Sequence, residues 1–243
     1  MENKNKRPEV TLLTIGGGGL NIAMDLVDSN KLRDYNIIVF DTDTQQFEKI
    51  KSQRDALPIY CSYQKEYPKG LDNILAYSKE VLDWEGKTNG IAKTIIICST
   101  LGGKTGSEMA PLLALASLLQ GRFVFSIFTI PAKFEGEIKL ERALVSYKQL
   151  ISISNISLVQ ENNLLSRYEN LKLKDMNLPI LQAFHKIYNQ PLHKLSQTEA
   201  CSRLKNLIPV EYQQKDGSLI KVFNNPFGMI SFKNILAYFQ VNE

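Results

Sequence analysis

The sequence has few of the residues that build disulfide-linked or zinc-binding proteins. Its three cysteines, Cys61, Cys98 and Cys201, lie far apart and form no CxxC pair, so neither a disulfide framework nor a zinc site is indicated. The two histidines, His185 and His193, have no third ligand at zinc spacing. We therefore expect buried or incidental thiols and no metal site built from protein side chains.

Long hydrophobic runs and a strong charge of one sign are also missing. No apolar run approaches the roughly 18 residues that a membrane span needs, and the start, MENKNKRPEV, lacks a signal-peptide core. The net charge is only +4 and its Lys and Arg residues are scattered, so nucleic-acid binding is not indicated. With 44% hydrophobic residues among 243, we expect a cytoplasmic globular protein of one large domain, alone or with a small appendage.

Strand-like and helix-like segments alternate along the chain, which predicts an α/β fold with three layers and a mostly parallel sheet. The predicted strands are apolar or β-branched runs: Val10 to Ile15, Asn36 to Phe40, Pro58 to Ser62, Thr94 to Cys98, Phe123 to Ile130 and Ile156 to Val159. Predicted helices cover Ile22 to Val27, Phe47 to Arg54, Leu71 to Trp84, the segment after the PAKFEG loop, and Pro179 to roughly Leu207. A hairpin is predicted between Ile208 and Phe223, around Asp216-Gly217.

Two glycine-rich turns follow two of these strands. The first is GGGGLN, and the second is LGGKTG, which leads into a helix whose first-turn amides we expect Ser107 and Glu108 to cap. Asp41 and Asp43 follow another strand, at the sheet edge where open α/β folds bind ligands. Because glycines admit close backbone approach and helix N-termini attract negative charge, this arrangement favours an anion such as phosphate.

Neither glycine turn alone identifies the ligand. GGGGLN with Asp41 is similar to a dinucleotide fingerprint but has Asn21 where the third glycine would stand. GGKT is not a Walker loop, because Cys98 stands at the position of that motif's first glycine. Either turn could also be only a tight turn, but together they suit a nucleotide held by several loops.

In order along nearly the whole chain, these motifs resemble the tubulin/FtsZ family of GTP-binding proteins. GGKTGSE resembles the family signature G-G-G-T-G-[ST]-G, GGGGLN its first loop, and DTDTQQ the N-T-D-x-Q loop. IPAKFEGEIKLERA resembles P-F-x-F-E-G, VQENNLL resembles P-N-D-x-L-L, and LQAFHKIY resembles L-D-A-F. Each match is modest, but six matches in the family's order are specific.

The resemblance implies a site for GTP or GDP, with magnesium accompanying GTP. Glu135 would meet the ribose, Lys139 would stand where an arginine usually contacts nucleotide, and Phe184 would stack on the guanine with Tyr188 one turn further on. The full set of implied nucleotide-binding residues is Gly16, Gly17, Gly18, Gly19, Asn21, Thr42, Asp43, Gly102, Gly103, Lys104, Thr105, Gly106, Ser107, Glu135, Lys139, Phe184 and Tyr188.

Several positions depart from the family pattern. Lys104 and Glu108 replace signature glycines, so Lys104 must turn outward or reach a phosphate as a point charge, whereas Glu108 would repel a phosphate if it pointed inward. Glu161 replaces a nucleotide-contacting asparagine. The third family loop is reduced to YPKGL, which weakens the expected contacts to a terminal phosphate.

The C-terminal segment departs further. GMISFKNIL resembles N-x-D-F-x-D, the family loop that completes hydrolysis across a filament contact, but Ser231 and Asn234 stand at its carboxylate positions. Neither a hydroxyl nor an amide acts as a general base near neutral pH, so we expect no catalytic residue here and little GTPase activity. The chain ends nine residues after Asn234, and we expect the family's second, sheet-containing domain to be absent.

The domain organisation follows from the same resemblance. We expect a flexible tail at 1–9, a nucleotide-binding α/β domain at 10–174, and a long central helix, hairpin and C-terminal segment at 175–243 packed on that domain. Exposed aromatics in the last segment would favour self-association or a protein partner.

Three functions remain open. The first is a guanine-nucleotide-binding protein with a structural or regulatory role, the second is an oxidoreductase with an NAD-type cofactor, and the third is a nucleotide-free interaction module whose site Lys104 and Glu108 have closed.

Overall fold

A computed structural model describes residues 10–28, 36–42, 59–61, 76, 80, 92–162, 211–213 and 219–221 of the chain. Six strands form one parallel sheet in the order β3-β2-β1-β4-β5-β6. The strands are β1 (Val10–Ile15), β2 (Asn36–Asp41), β3 (Ile59–Cys61), β4 (Thr94–Thr100), β5 (Phe123–Ile130) and β6 (Ile156–Glu161). The predicted parallel α/β sheet is confirmed, and all six predicted strands are present.

Where the structure describes a whole helix, it shows three α-helices and one short 3-10 helix between or beside these strands. They are α1 (Gly16–Asp28), α2 (Lys104–Leu119), the 3-10 helix Lys133–Glu135 and α3 (Glu137–Ile153). The predicted hairpin is also confirmed, because β7 (Glu211–Gln213) pairs antiparallel with β8 (Leu219–Lys221). None of the described helices is long and apolar enough to cross a membrane.

Several predicted elements lie outside the described residues. They are the helix from Phe47 to Arg54, the helix from Pro179 to roughly Leu207, the segment around GMISFKNIL, and most of the helix from Leu71 to Trp84, of which residues 76 and 80 are helical. The domain boundaries at 174 and 175 stay predictions.

The sheet is buried on both faces, as its continuous β-branched runs require. One row of paired residues, Leu13, Ile38 and Ile97, belongs to a core cluster that includes Met109 and Leu113 of α2. The neighbouring row, Leu12, Ile37 and Ile96, is equally buried and faces the other side of the sheet. Helices thus cover both faces, and the predicted three layers are confirmed.

The strand order reverses between β1 and β4. From β1 the chain passes through α1 to β2 on one side, and from β4 it passes through α2 to β5 on the other. Because parallel crossovers are right-handed, α1 and α2 lie on opposite faces, and a crevice opens between the carboxyl ends of β1 and β4. Both glycine-rich turns begin at this crevice.

Candidate functional site

The first glycine run is the first turn of α1 and not a turn that precedes it. The prediction that this helix begins at Ile22 is wrong, because α1 begins at Gly16, whose φ is +71°. A Cβ at Gly18 would collide with the side chain of Thr100, and a Cβ at Gly19 would collide with the carbonyl oxygen of Cys98. The glycines therefore let the backbone of α1 lie directly on the end of β4.

The second turn and the helix start that follows it, together the signature loop Leu101 to Gly106, are held to the sheet and to the rest of the helix. The Leu101 N–H donates to the Thr129 carbonyl at 2.9 Å, and the Gly102 N–H donates to Ser107 Oγ at 2.7 Å. Gly102 has a φ of +98°, in the left-handed region that favours glycine. The loop is thus fixed by hydrogen bonds before any ligand binds.

The expected capping by Ser107 and Glu108 is wrong. The helix α2 begins earlier, at Lys104, with Gly103 as its N-cap, and its first helical bond runs from the Ser107 N–H to the Gly103 carbonyl at 3.1 Å. The Ser107 hydroxyl serves the preceding loop instead, and Glu108 lies in the second turn. Since glycine has no side chain, the N-cap residue makes no side-chain hydrogen bond to the amides of the first turn.

The two glycine turns meet in the crevice. A Cβ at Gly16 would lie 3.4 Å from the Gly106 nitrogen and 3.6 Å from Thr105 Cβ. A Cβ at Gly106 would lie 2.4 Å from the Thr100 carbonyl oxygen and 2.6 Å from Ser99 Oγ. The start of α1 is therefore in van der Waals contact with the start of α2, and the start of α2 lies so close to the end of β4 that a side chain at Gly106 would collide with it.

The end of β2 supplies a third side of the site. Asp41 is buried, and its Oδ1 accepts the Thr42 N–H at 2.7 Å. The hydroxyl oxygens of Thr42 and Thr105 lie 2.8 Å apart, at hydrogen-bonding distance. The structure thus brings the predicted site residue Thr42 into contact with the signature loop.

Glu135 and Lys139 lie together at the rim. Glu135 Oε1 accepts the Ala132 N–H at 2.9 Å, and its Oε2 lies 3.9 Å from Lys139 Nζ. The Lys139 side chain is 53% exposed, so this ion pair adds little to stability. One Glu135 oxygen is therefore committed to shaping its own turn, while the other faces the lysine.

The remaining described site residues differ in exposure. Asn21, Gly103 and Lys104 are exposed, and Glu108 is partly buried. Glu161, at the end of β6, is exposed. Lys104 is exposed, and both expectations for it, a side chain that turns outward and one that reaches a phosphate as a point charge, stay predictions.

Other predicted residues cannot be located relative to these loops. Asp43, Phe184, Tyr188, Ser231 and Asn234 lie outside the described residues, as does the YPKGL loop.

The structure also shows two side-chain contacts, from Arg142 and Ser146 of α3, that the sequence motifs did not predict. Arg142 Nη1 donates to the Gly102 carbonyl at 3.1 Å, and Ser146 Oγ donates to the Ser107 carbonyl at 2.8 Å. Their spacing of four residues on a predicted helix is the signal that could have indicated a shared face.

The described residues give this site groups that suit an anion. The amides of Thr105 and Gly106 precede the first helical hydrogen bond, and two helix N-termini converge on one crevice. Beside them, a Cβ at Gly103 would meet no described atom within 4 Å, which leaves room for a phosphate group. Burial raises the pKa of the Cys98 thiol far above its usual range, so Cys98 is an inert buried thiol beneath the site, as predicted.

Among the residues that the structure describes, no three His, Cys, Asp or Glu side chains lie close enough together to hold a metal ion.

Comparison with known proteins identifies the family to which these motifs and this fold belong. A family model for the tubulin/FtsZ family, GTPase domain, matches residues 9–170. The cell division protein FtsZ of Mycoplasmopsis pulmonis is 27% identical over 183 residues, which cover 72% of this chain and 45% of that protein. The FtsZ of Helicobacter pylori is 29% identical over 166 residues, which cover 65% and 41%. The chain thus spans a little under half the length of these relatives.

Solved structures share the fold. The GDP-bound monomer of CetZ1 from Haloferax volcanii superposes with a TM-score of 0.62 at 16% identity, covering 82% of this chain and 64% of that chain. The tail-truncated TubZ of Clostridium botulinum phage c-st gives 0.60 at 20% identity, covering 86% and 78%. The family model spans well over half of the sequence, and the predicted resemblance is confirmed. The chain belongs to the tubulin/FtsZ family, whose GTPase domain it carries.

Proposed function

We propose that this protein binds a guanine nucleotide, GTP or GDP, and hydrolyses GTP slowly or not at all. The observation that carries the proposal is the contact between the starts of α1 and α2, where a Cβ at Gly16 would lie 3.4 Å from the Gly106 nitrogen. This contact joins two helix N-termini at the point where the strand order reverses.

The phosphates would lie against the starts of α1 and α2. The amides of Thr105 and Gly106 supply donors, and the dipole of the 16-residue helix α2 adds a partial positive charge. Lys104 adds a full charge at the same helix end, whereas Glu108, one turn further on, opposes it. Because Glu108 lies in the second turn, beyond the amides of Thr105 and Gly106, the balance of charge at the loop still favours a phosphate.

The family resemblance supplies the rest of the proposed site. Glu135 and Lys139 would contact the sugar side of the nucleotide, and Phe184 and Tyr188 the base side. Asn21, Thr42 and Asp43 would complete the contacts. Magnesium would accompany GTP through its phosphates.

The nucleotide would be held and not cleaved. Ser231 and Asn234 stand where the resembling family loop has carboxylates, and neither side chain can position and deprotonate water as a carboxylate does. The proposed role is therefore structural or regulatory in the cytoplasm, with weak self-association or a protein partner.

The direct test is the identity of any nucleotide that copurifies with the native protein, followed by calorimetric titration with GTP, GDP, ATP and NAD(H). We expect binding that is selective for guanine nucleotides. An empty protein that binds neither GTP nor GDP would support a nucleotide-free interaction module, and tight selective NAD(H) binding would support the oxidoreductase.

A matched pair of variants ties that binding to the signature loop. Gly103→Asp places a carboxylate at the N-cap of α2, whereas Gln149→Glu makes the same charge change on an exposed position of α3. Only Gly103→Asp should weaken guanine-nucleotide binding.

A further inference from the structure

The wall behind the signature loop is the first turn of α3. A Cβ added at Gly102 would lie 3.0 Å from Pro131 Cγ and 3.1 Å from the Lys139 carbonyl oxygen. These contacts are tighter than side chains normally tolerate, so the loop backbone packs directly on α3. A substitution in this part of α3 therefore acts directly on the loop backbone, because no other residue lies between them at Gly102.

Arg142, one turn after Lys139, contacts this backbone. Its Nη1 donates to the Gly102 carbonyl at 3.1 Å, while the Gly102 N–H donates to Ser107 Oγ at 2.7 Å. Both polar groups of the Gly102 backbone are therefore bonded within the protein. The Arg142 donor is charged, but its side chain is exposed and its bond is longer than the buried bond from the Gly102 N–H to Ser107.

Ser146 makes a second link from the same face of α3. Its hydroxyl donates to the Ser107 carbonyl at 2.8 Å and lies 3.1 Å from the Arg142 carbonyl. Ser146 and Ser107 are both buried, so water does not compete for this bond. Two residues four positions apart thus hold the loop and the first turn of α2 together.

The geometry of the peptide bond makes the Arg142 contact directional. In a planar trans peptide, the carbonyl of Gly102 and the N–H of Gly103 point in opposite directions, and the described part of the chain contains no cis bond. Because Arg142 draws the carbonyl toward α3, the Gly103 N–H points away from α3. Gly103 is exposed, and a Cβ there would meet no described atom within 4 Å.

A Gly-Gly peptide has little steric resistance to rotation, so its orientation needs an external constraint. We infer that Arg142 is a positioning residue that fixes the Gly102–Gly103 peptide with its N–H toward the phosphate position, and that Ser146 fixes the adjoining Ser107. The ligand in this inference rests on the proposed function, whereas the peptide orientation does not. Arg142 acts through the loop and does not itself contact the nucleotide.

The test compares Arg142→Met, which keeps side-chain length without a donor, with Arg142→Lys, which keeps a charged donor. Lys148→Ala, which removes a charge from an exposed position on the same helix, is the control. Two quantities are measured: the NMR amide shift of Gly103 in nucleotide-free protein, and the dissociation constant for GDP.

We expect Arg142→Met to move the Gly103 resonance and to weaken GDP binding about tenfold, the effect of losing one charge-assisted hydrogen bond from the Gly103 N–H to a phosphate. Arg142→Lys should recover most of both effects, and Lys148→Ala should leave both unchanged. Weaker GDP binding with an unmoved Gly103 resonance would show that Arg142 acts only as a charge, which would overturn the inference.

An unmoved resonance with unchanged affinity would overturn it equally. If the unmodified protein binds no guanine nucleotide, the proposed function fails, but the Gly103 resonance in Arg142→Met still decides the peptide orientation. Should Arg142→Met not fold, Arg142→Ala and Ser146→Ala allow the same comparison, with the largest shift expected at Gly103 for the former and at Ser107 for the latter.

Discussion

The two glycine-rich turns of the site use glycine for different reasons. In the turn that starts α1, Gly18 and Gly19 leave room for Thr100 and for the Cys98 carbonyl, so packing inside the protein explains both. In the signature loop, packing explains Gly102 and Gly106, but Gly103 borders open space in the described structure. The glycines of the first turn are therefore needed for packing, whereas in the second turn no described neighbour requires a glycine at Gly103.

Because Gly103 borders open space, we expect the proposed ligand to lie beside it. Gly103 has a φ of −71° and a ψ of 155°, an extended conformation that any residue adopts without strain. Substitutions there should report on the ligand, and substitutions at Gly18 or Gly19 should report on the fold. The predictions below test this separation, beginning with the largest effect.

Gly19→Ala should cost the most stability. Its Cβ would collide with the Cys98 carbonyl, which belongs to a buried central strand and cannot move aside. We expect a loss of about 3 kcal/mol in the free energy of unfolding, measured by urea denaturation. Gly103→Ala is the control and should change it by less than about 0.5 kcal/mol. Equal stabilities for the two variants would contradict the distinction between the turns.

Gly102→Ala should weaken both the fold and the site. It places a Cβ in the left-handed region at φ +98°, about 3 Å from Pro131 and Lys139, so we expect a stability loss of about 1–3 kcal/mol. Nucleotide affinity should fall as well, because the strained loop would shift its amides. Thermal unfolding and GDP calorimetry on one sample measure both effects, and an unstrained variant with native affinity would contradict the account.

Gly103→Asp should separate binding from stability. Asp is a favoured N-cap and stabilises a helix start, so stability should stay unchanged or rise by up to about 1 kcal/mol. The same carboxylate would repel phosphate, and guanine-nucleotide affinity should fall about tenfold at low salt, with a smaller loss at high salt. Undiminished affinity in calorimetry would place the phosphate elsewhere.

The smallest effect is expected from Ser231→Asp combined with Asn234→Asp. The resembling family loop completes hydrolysis across a contact with a neighbouring subunit, which these substitutions do not supply. Phosphate release should therefore rise by less than about twofold over the unmodified protein. Robust hydrolysis that increases with protein concentration, in either protein, would show that this end of the chain is misinterpreted.

The sequence predicted the strands better than the helix starts. The bounds of β1 and β5 match the prediction at both ends, because each is a run of apolar and β-branched residues, interrupted in β5 only by Ser126, with polar or turn residues beside it. The predicted start of α1 at Ile22 is wrong, since four glycines indicate a turn by local propensity alone. Only the close approach of Gly18 and Gly19 to β4 makes them helical, and that contact depends on the folded chain.

The site was predicted in its parts but not in its connections. The glycine turns, Thr42, Glu135 and Lys139 were named from motif order, and the structure brings Thr42 to Thr105 and Glu135 to Lys139. The hydroxyl of Ser107 was assigned to helix capping because its spacing allows it, yet the positive φ of Gly102 turns that loop's amide toward it. Arg142 belongs to no motif, and only the packing of α3 on the loop reveals its contact.

The central claim is that this site holds a guanine nucleotide without cleaving it. The most direct measurement loads purified protein with GTP and magnesium, removes free nucleotide, and identifies the bound nucleotide by chromatography after an extended incubation. We predict about one guanine nucleotide per chain, mostly intact GTP. Either complete conversion to GDP or the absence of any retained guanine nucleotide would contradict that claim.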